Sequence, residues 1–117
     1  MKKSQPEYKI QCAIVQYLSI LEKQGKLFFF AIPGQGGRGL AKRGAMLKKM
    51  GVKAGMPDLC ILYPDSYARF IEIKSKGGKE SPAQNQVFGI IEEFNFDFAV
   101  VRSLDEMVEL IAKWGID

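Results

Sequence analysis

The chain of 117 residues contains no histidine, and this absence excludes several kinds of active site. There can be no imidazole general base, no serine–histidine triad and no histidine-ligated zinc ion. Catalytic chemistry in this chain must therefore use carboxylates, lysine or a metal ion that is held by oxygen ligands.

Long apolar runs are also absent. No segment has the roughly 18 consecutive apolar residues of a membrane-spanning helix. The N-terminal sequence MKKSQPEYK precedes an amphipathic helix rather than the apolar stretch of a secretory signal. Cysteine is rare, and we expect Cys12 and Cys60 to be small buried side chains in a reducing compartment. These features predict a cytoplasmic protein without a membrane segment.

Acidic residues are missing from one stretch of the chain. Residues 34–57 contain no Asp or Glu, although the net charge of the whole chain is only +4. A local positive field of this kind suits phosphate groups. We therefore expect DNA-binding contacts from the six basic side chains of this stretch, which are Arg38, Lys42, Arg43, Lys48, Lys49 and Lys53.

The apolar content of 47% is enough for one α/β domain over residues 1–117. Hydrophobic periodicity predicts the order αβαββαβα, with a mixed four-stranded sheet and helices on both of its faces. The run Leu27–Ile32 is wholly apolar and predicts a buried strand. The last two helices are expected to bury Val87, Ile90, Ile91 and Phe94, and Leu104, Met107, Val108, Ile111 and Trp114.

A glycine-rich segment, Pro33–Gly39 (PGQGGRG), follows the first predicted strand. It lacks the Gly-Lys-Ser/Thr ending of a P-loop and the spacing of a dinucleotide fingerprint, so we expect no nucleotide cofactor. Two interpretations stay open, a flexible connection and a mobile loop that meets a nucleic-acid backbone. A basic helix over roughly Leu40–Met50 comes next, with Leu40, Leu47 and Met50 expected as its buried stripe.

Three charged residues mark the centre of the chain. Two short apolar strands are predicted at Asp58–Tyr63 and Tyr67–Ser75, joined by a Pro-Asp-Ser turn. Glu72 and Lys74 share one face of the second strand, because alternate residues point the same way. If Tyr63 and Tyr67 flank the turn, antiparallel pairing brings Asp58 to the same end as Glu72 and Lys74. A charge in a buried strand is costly unless it is paired or bound to a metal.

Two interpretations of this group compete. Glu72 could form an ordinary structural ion pair with Lys74. Alternatively, the carboxylates of Asp58 and Glu72, with the carbonyl oxygen of Ile73, could hold Mg²⁺ or Mn²⁺ as hard oxygen ligands. Lys74 would then orient or deprotonate a water on the metal, which is the equipment for metal-assisted phosphodiester hydrolysis. The adjacent acid-free basic stretch and the absence of histidine favour the metal site.

Glu7 and Gln84 each permit two interpretations. Each lies three residues after a serine, Ser4 or Ser81, and could complete a helix capping box. Each also falls near the apolar stripe of its helix, so its side chain could face the sheet instead. In that case Glu7 could reach the metal or its water.

Several motifs together resemble the VRR-NUC family of the PD-(D/E)xK nuclease superfamily. The specific combination is Gly-Met-Pro-Asp-Leu at residues 55–59, Glu-Ile-Lys at residues 72–74 and Ser-Pro-Ala-Gln at residues 81–84. Further similarity lies in Glu7 with Ile10-Gln11, in the tract from Lys48 to Leu59, and in Val100–Ser103.

The resemblance implies a restriction-endonuclease-like core. It implies that Asp58, Glu72 and the Ile73 carbonyl hold Mg²⁺ or Mn²⁺, and that Lys74 acts on the nucleophilic water. Glu7 and Gln84 would then support the site. The stand-alone members of this family, often from phages and bacteria, resemble homodimers that cut four-way DNA junctions.

We therefore expect a homodimeric, metal-dependent endonuclease for branched DNA, above all a Holliday junction, in a bacterial or phage-infected cell. Two alternatives stay open. One is a nuclease of the same fold for flaps, other branched DNA or duplex, and the other is a non-catalytic module that binds junctions. The surplus of phenylalanine could form a dimer interface, although core burial would explain it equally well.

Overall fold

A mixed four-stranded sheet forms the centre of the computed structural model, which describes residues 4–33 and 41–116 without the side chains of residues 5 and 41–43. The elements follow the predicted order αβαββαβα. They are α1 (Gln5–Lys23), β1 (Phe28–Ala31), α2 (Ala41–Lys49), β2 (Leu59–Tyr63), β3 (Tyr67–Ile73), α3 (Pro82–Glu93), β4 (Asp97–Val101) and α4 (Leu104–Lys113).

The strands lie in the order β1-β2-β3-β4. The first two pairs are antiparallel, and β3 pairs with β4 in parallel, with α3 as the connecting helix. In the β2–β3 hairpin, Tyr63 lies opposite Tyr67 and Leu59 opposite Ile71. One further step in this register places Asp58 opposite Glu72, as predicted.

The helix starts follow the local sequence. Ser4, Ser81 and Ser103 each accept a hydrogen bond from the backbone amide three residues later. The first turns of α1 and α3 also contain a proline, where the missing amide donor costs nothing. These serines satisfy amide groups that would otherwise have no partner at the helix ends.

The main core lies on one face of the sheet, between α1, α4 and the inward side chains of the strands. The fully buried side chains of this cluster include Ile14, Leu18, Leu59, Ile61, Ile71, Ile73, Met107 and Ile111. The other face carries α3, whose Phe88 ring packs 4.7 Å from the ring of Phe98. Helices therefore lie on both faces.

Several predicted core residues are exposed. Ile90 in α3 and Phe94 directly after α3 are 45% and 67% exposed, and the buried residues of α3 are Phe88 and Ile91. In α4, Leu104 and Val108 are 37% and 40% exposed, whereas Met107 and Ile111 are buried as predicted. The apolar stripes of both helices are wider than the surface that each helix packs against.

The first strand is also more exposed than predicted. β1 is an edge strand, and Phe28 and Phe30 are 57% and 42% exposed. Their cross-strand neighbour on β2, Leu62, is 39% exposed. The reason is that α3 packs against β4 at the other edge of this face. Within the described residues, no helix covers the β1 side of the face.

Two other burial predictions are wrong. Met50 is 73% exposed, and no described side chain of α2 is buried, while the predicted Leu40 lies outside the described residues. Cys12 is exposed on α1, whereas Cys60 is buried, and burial raises the pKa of the Cys60 thiol. No helix in the described part of the chain is long and apolar enough to cross a membrane.

Candidate active site

The predicted charged residues meet at the end of the β2–β3 pair that lies away from the hairpin turn. Asp58 stands directly before β2, and its Oδ2 accepts a hydrogen bond of 2.7 Å from the backbone amide of Ile73. The backbone carbonyl oxygen of Asp58 also accepts a hydrogen bond of 2.9 Å from the backbone amide of Ile32. These bonds fix the carboxylate against the end of β3 at the position that the strand register predicts.

Glu72 and Lys74 are both buried. Glu72 is 2% exposed, and its Oε2 lies 3.3 Å from Nζ of Lys74. The backbone of Lys74 extends the parallel ladder by donating to the carbonyl of Val101 at 3.1 Å. Burying two charged side chains costs free energy that their mutual attraction and hydrogen bonds must offset. The pair is therefore held in one arrangement rather than left to vary in solvent.

Gln84 combines the two roles that the sequence left open. Its Oε1 accepts the backbone amide of Ser81 at 2.9 Å, which completes the capping box of α3. The same oxygen accepts Nζ of Lys74 at 2.9 Å, and Nε2 donates to Glu72 at 2.8 Å. One amide side chain thus ends the helix and bridges the buried carboxylate and ammonium groups.

Gly55 brings the loop before Asp58 against the first turn of α3. Its φ is +83°, and a Cβ at this position would meet the backbone of Ala83 and lie 2.8 Å from the amide nitrogen of Gln84. Only glycine combines this backbone conformation with so close an approach. The sequence analysis used Gly55 as part of a motif but did not predict this contact.

Glu7 lies in the first turn of α1 and is half-buried. Its backbone amide donates to Ser4, at 3.3 Å, so the serine half of the predicted capping box is present. Its Oε2 lies 3.7 Å from the position that a Cβ on Gly78 would take. The carboxylate therefore lies beside the turn that follows Lys74, which supports the interpretation that Glu7 faces the site.

Arg102 is a residue of this region that the sequence analysis did not single out as a site residue. It follows β4, and its Nη1 donates to the carbonyl oxygens of Ser75 at 2.7 Å and Gly78 at 2.9 Å. The sequence offered one signal, which was an arginine directly after β4. This strand pairs with β3, the strand that leads to Lys74. Its partners lie more than 20 residues away in sequence, so the pattern alone could not identify them.

The basic residues expected to contact DNA are only partly described. Lys48, Lys49 and Lys53 are exposed near the end of α2 and in the loop that leads to Asp58. Arg38 lies outside the described residues, as does most of the glycine-rich segment, and the side chains of Lys42 and Arg43 are also not described.

The donor set fits a hard divalent cation. Asp58 and Glu72 lie opposite each other in the strand register. The carbonyl oxygen of Ile73 is the third ligand that was predicted from the sequence. Within residues 4–33 and 41–116, no three acidic or cysteine side chains are grouped closely enough to hold a metal by themselves. Mg²⁺ commonly uses one or two carboxylates and completes its shell with water and substrate phosphate, so two carboxylates are compatible with such an ion.

Comparison with known proteins agrees with this geometry. The family model of the VRR-NUC domain matches residues 1–105. A solved structure named "VRR_NUC domain protein" is 22% identical and superposes with a TM-score of 0.72 over 96% of this chain and 89% of its own.

A second structure, named "VRR_NUC domain", is 18% identical, with a TM-score of 0.65 over 93% of this chain and 97% of its own. No curated protein matches the chain. Both structures share the fold of this chain, whose mixed four-stranded sheet and flanking helices are consistent with the predicted restriction-endonuclease-like core. Because the family model matches residues 1–105, the chain belongs to the VRR-NUC domain family, which is a family of nuclease domains.

Proposed function

We propose that this nuclease is a metal-dependent endonuclease for branched DNA, that its main substrate is the four-way (Holliday) junction, and that it acts as a homodimer. The observation that carries the proposal is the linked group at the end of β2 and β3. There, Gln84 bridges Glu72 and Lys74, while Asp58 is fixed by the amide of Ile73. A binding module without activity has no need to bury this arrangement.

In this proposal Asp58, Glu72 and the carbonyl of Ile73 hold Mg²⁺ or Mn²⁺. The strand pair carries two carboxylates and one ammonium group in a partly buried space, and two carboxylates at close range repel each other. A divalent cation would remove this repulsion and supply positive charge that stabilises the charge developing on the phosphate oxygens. Since Glu7 does not form a three-carboxylate metal group with Asp58 and Glu72 in the described structure, its proposed role is to contact a water of the cation rather than the cation itself.

Lys74 is the residue proposed to act on the attacking water. Its Nζ is held by two acceptors, Gln84 at 2.9 Å and Glu72 at 3.3 Å. An ammonium group fixed in this way can orient a water molecule or exchange a proton with it at a constant position. Gln84 supports the reaction because its hydrogen bonds keep the side chains of Lys74 and Glu72 at fixed positions relative to each other.

DNA binding is proposed to rest on shape and charge rather than on base sequence. Lys48, Lys49 and Lys53 are exposed in the acid-free stretch, which supports phosphate contacts. Arg38, Lys42 and Arg43 belong to the same proposal on their sequence position. Phosphate contacts give strong salt dependence and little base discrimination, as expected for an enzyme that recognises a branch point.

The homodimer is proposed because a symmetric junction requires two cuts and each chain offers one site. The exposed edge strand β1 supports this, since Phe28, Phe30 and Leu62 form an apolar surface at the edge of the sheet. A second copy of the chain would cover this surface. Sedimentation at micromolar concentration should show a dimer, and a Phe28→Ser variant should shift it toward monomer. A wild-type monomer would contradict the proposal.

The experiment that tests the activity compares a labelled four-way junction with a linear duplex of the same sequence. Wild type, Glu72→Gln and Lys74→Met would be assayed with Mg²⁺, Mn²⁺ or EDTA, with Lys113→Ala as a control. Junction cutting that requires metal and is lost in the two site variants would support the proposal. Equal cutting of duplex would indicate the alternative, a flap or duplex nuclease. Tight junction binding without cutting would indicate a non-catalytic module.

A further inference from the structure

A short basic turn follows Lys74. Its lysines are not among the six basic side chains of residues 34–57. The turn comprises Ser75, Lys76, Gly77 and Gly78, and the amide of Gly78 donates to the carbonyl of Ser75 at 3.0 Å. Gly77, the third residue of the turn, has a φ of +80°. A type II turn requires a positive φ at this position. Lys76, in the turn, and Lys79, directly after it, are both exposed.

Arg102 fixes the conformation of this turn. Its guanidinium donates to both ends of the turn, the carbonyls of Ser75 and Gly78, at 2.7 and 2.9 Å. The backbone of Arg102 is itself fixed, because its amide donates to Oε1 of Glu106 in α4 at 2.7 Å. The two lysines are thus attached to a turn that is tied to the sheet rather than to a free loop.

The position of the turn connects it to the active site. Its first residue follows Lys74 directly, and its last residue, Gly78, lies beside the carboxylate of Glu7. The chain then reaches Ser81, whose amide donates to Oε1 of Gln84, and the same oxygen accepts Nζ of Lys74. A phosphate group next to the scissile bond would therefore lie within the length of a lysine side chain from this turn.

We propose that the turn at residues 75–78, together with Lys79 directly after it, binds a backbone phosphate of the DNA strand being cut. In this proposal Lys76 and Lys79 contact the phosphate, and Arg102 positions the turn that carries them. The inference rests on the proposed nuclease function, because it places this phosphate next to the active site. It adds a phosphate contact from the β3–α3 connection to those of the segment before Asp58.

The test is binding of a fluorescein-labelled four-way junction, measured by anisotropy in EDTA between 50 and 200 mM salt, about the range over which phosphate contacts dominate affinity. The double variant Lys76→Ala/Lys79→Ala is compared with a control, Lys26→Ala/Lys113→Ala. All four lysines are exposed, and the control pair lies at the opposite end of the sheet. Both variants lose two positive charges, so only the position of the charges differs.

We expect the turn variant to bind more weakly and its slope of log affinity against log salt to decrease in magnitude by about 1, because one phosphate contact is lost. The control should stay within about 0.5 of the wild-type slope if its lysines contact no phosphate. Equal slopes for the two double variants would overturn the proposal. This readout needs no cleavage, so absence of nuclease activity would contradict the proposed function without deciding the role of the turn.

Arg102→Lys tests the positioning role, because it keeps the charge but replaces the planar guanidinium, whose Nη1 donates to both carbonyls, with a shorter ammonium group. The expected result is a salt slope that is smaller in magnitude than that of wild type by about 1 in protein that is still folded. Arg102→Gln, whose side chain is shorter and uncharged, should show the same direction of change. A lower unfolding temperature with an unchanged slope in both variants would show a purely structural role and overturn the positioning claim.

Discussion

The two ends of the β2–β3 hairpin both carry charged side chains, but the groups that surround these charges differ. At the turn end, the guanidinium of Arg69 is 4.5 Å from the Trp114 ring centre and forms a 2.9 Å ion pair with Asp97. Tyr63 and Tyr67 stack beside it, with ring centres 4.9 Å apart. One cation meets one carboxylate and several aromatic faces, so this end is neutralised by the chain itself.

The other end gathers a different set of groups. Asp58 and Glu72 bring two carboxylates, and Lys74 brings one ammonium group, with Gln84 as a neutral bridge. Linked titratable side chains from several elements are typical of functional sites, and these are the groups of the proposed metal site. The difference between the two ends is that aromatic rings surround the ion pair at the turn, whereas the proposed site links two carboxylates and an ammonium group through one amide side chain.

The sharpest way to test this contrast is to remove one cation from each end. Lys74→Met should lower the rate of DNA cleavage by about 10²- to 10⁴-fold, because the proposed water-orienting group is lost. The measurement is single-turnover cleavage of the four-way junction with Mg²⁺. If Arg69→Met lowers the rate as much in folded protein, the distinction between the two ends fails.

Gly55→Ala should have the largest effect on the shape of the site. The added methyl group meets the first turn of α3 at a backbone φ of +83°, which is costly for any residue except glycine. We expect a loss of about 1–3 kcal/mol in the free energy of unfolding and a lower cleavage rate. Gly44→Ala is a matched control, since a Cβ at Gly44 meets nothing within 4 Å in the described structure. Equal stability of the Gly55→Ala and Gly44→Ala proteins would contradict the close packing of Gly55 against the first turn of α3.

Gln84→Met separates the capping role from the role in the site. Gln84→Met and Ser81→Ala should each reduce the free energy of unfolding by about 1 kcal/mol, since each removes part of the helix cap. Only Gln84→Met removes the bonds to Glu72 and Lys74, and we expect it to lower cleavage by about 10- to 100-fold. The measurements are urea unfolding and single-turnover cleavage. Similar rates for the two variants would assign Gln84 to the cap alone.

Arg69→Met should show the smallest effect on activity. The side chain of Arg69 is 16% exposed, and its loss removes the contacts with Trp114 and Asp97. We expect the free energy of unfolding to fall by about 1–2 kcal/mol, while the cleavage rate of folded protein stays within about two-fold of wild type. Thermal unfolding and cleavage at low temperature measure the two quantities separately.

The sequence predicted those features that depend on neighbours along the chain. The serine caps and the Tyr63–Tyr67 register were local patterns, and the register alone was enough to place Asp58 opposite Glu72. Burial was predicted less well, because it depends on which surface each helix covers. Phe28 and Phe94 are apolar yet exposed, since β1 is an edge strand and α3 covers only part of its face.

The contacts of Gly55 and Arg102 could not be predicted from the sequence. Gly55 packs against Ala83 and Gln84, and Arg102 binds the turn at Ser75, so each joins segments that are distant in the chain. No periodicity or spacing encodes such a contact. In contrast, the double role of Gln84 was visible as an ambiguity, because one residue satisfied both a capping pattern and a site pattern.

The most direct test of the account is Mn²⁺ titration of the folded protein, followed by the paramagnetic broadening of its backbone amide signals. The strand rise places Tyr67 about 17 Å from Glu72, which is far enough to compare the two ends. We predict selective broadening at Ile73, Lys74 and Gln84, little change at Tyr67, and loss of the effect in Glu72→Gln. Broadening that is equal at both ends, or unchanged in Glu72→Gln, would contradict the proposal that Asp58 and Glu72 hold a metal ion.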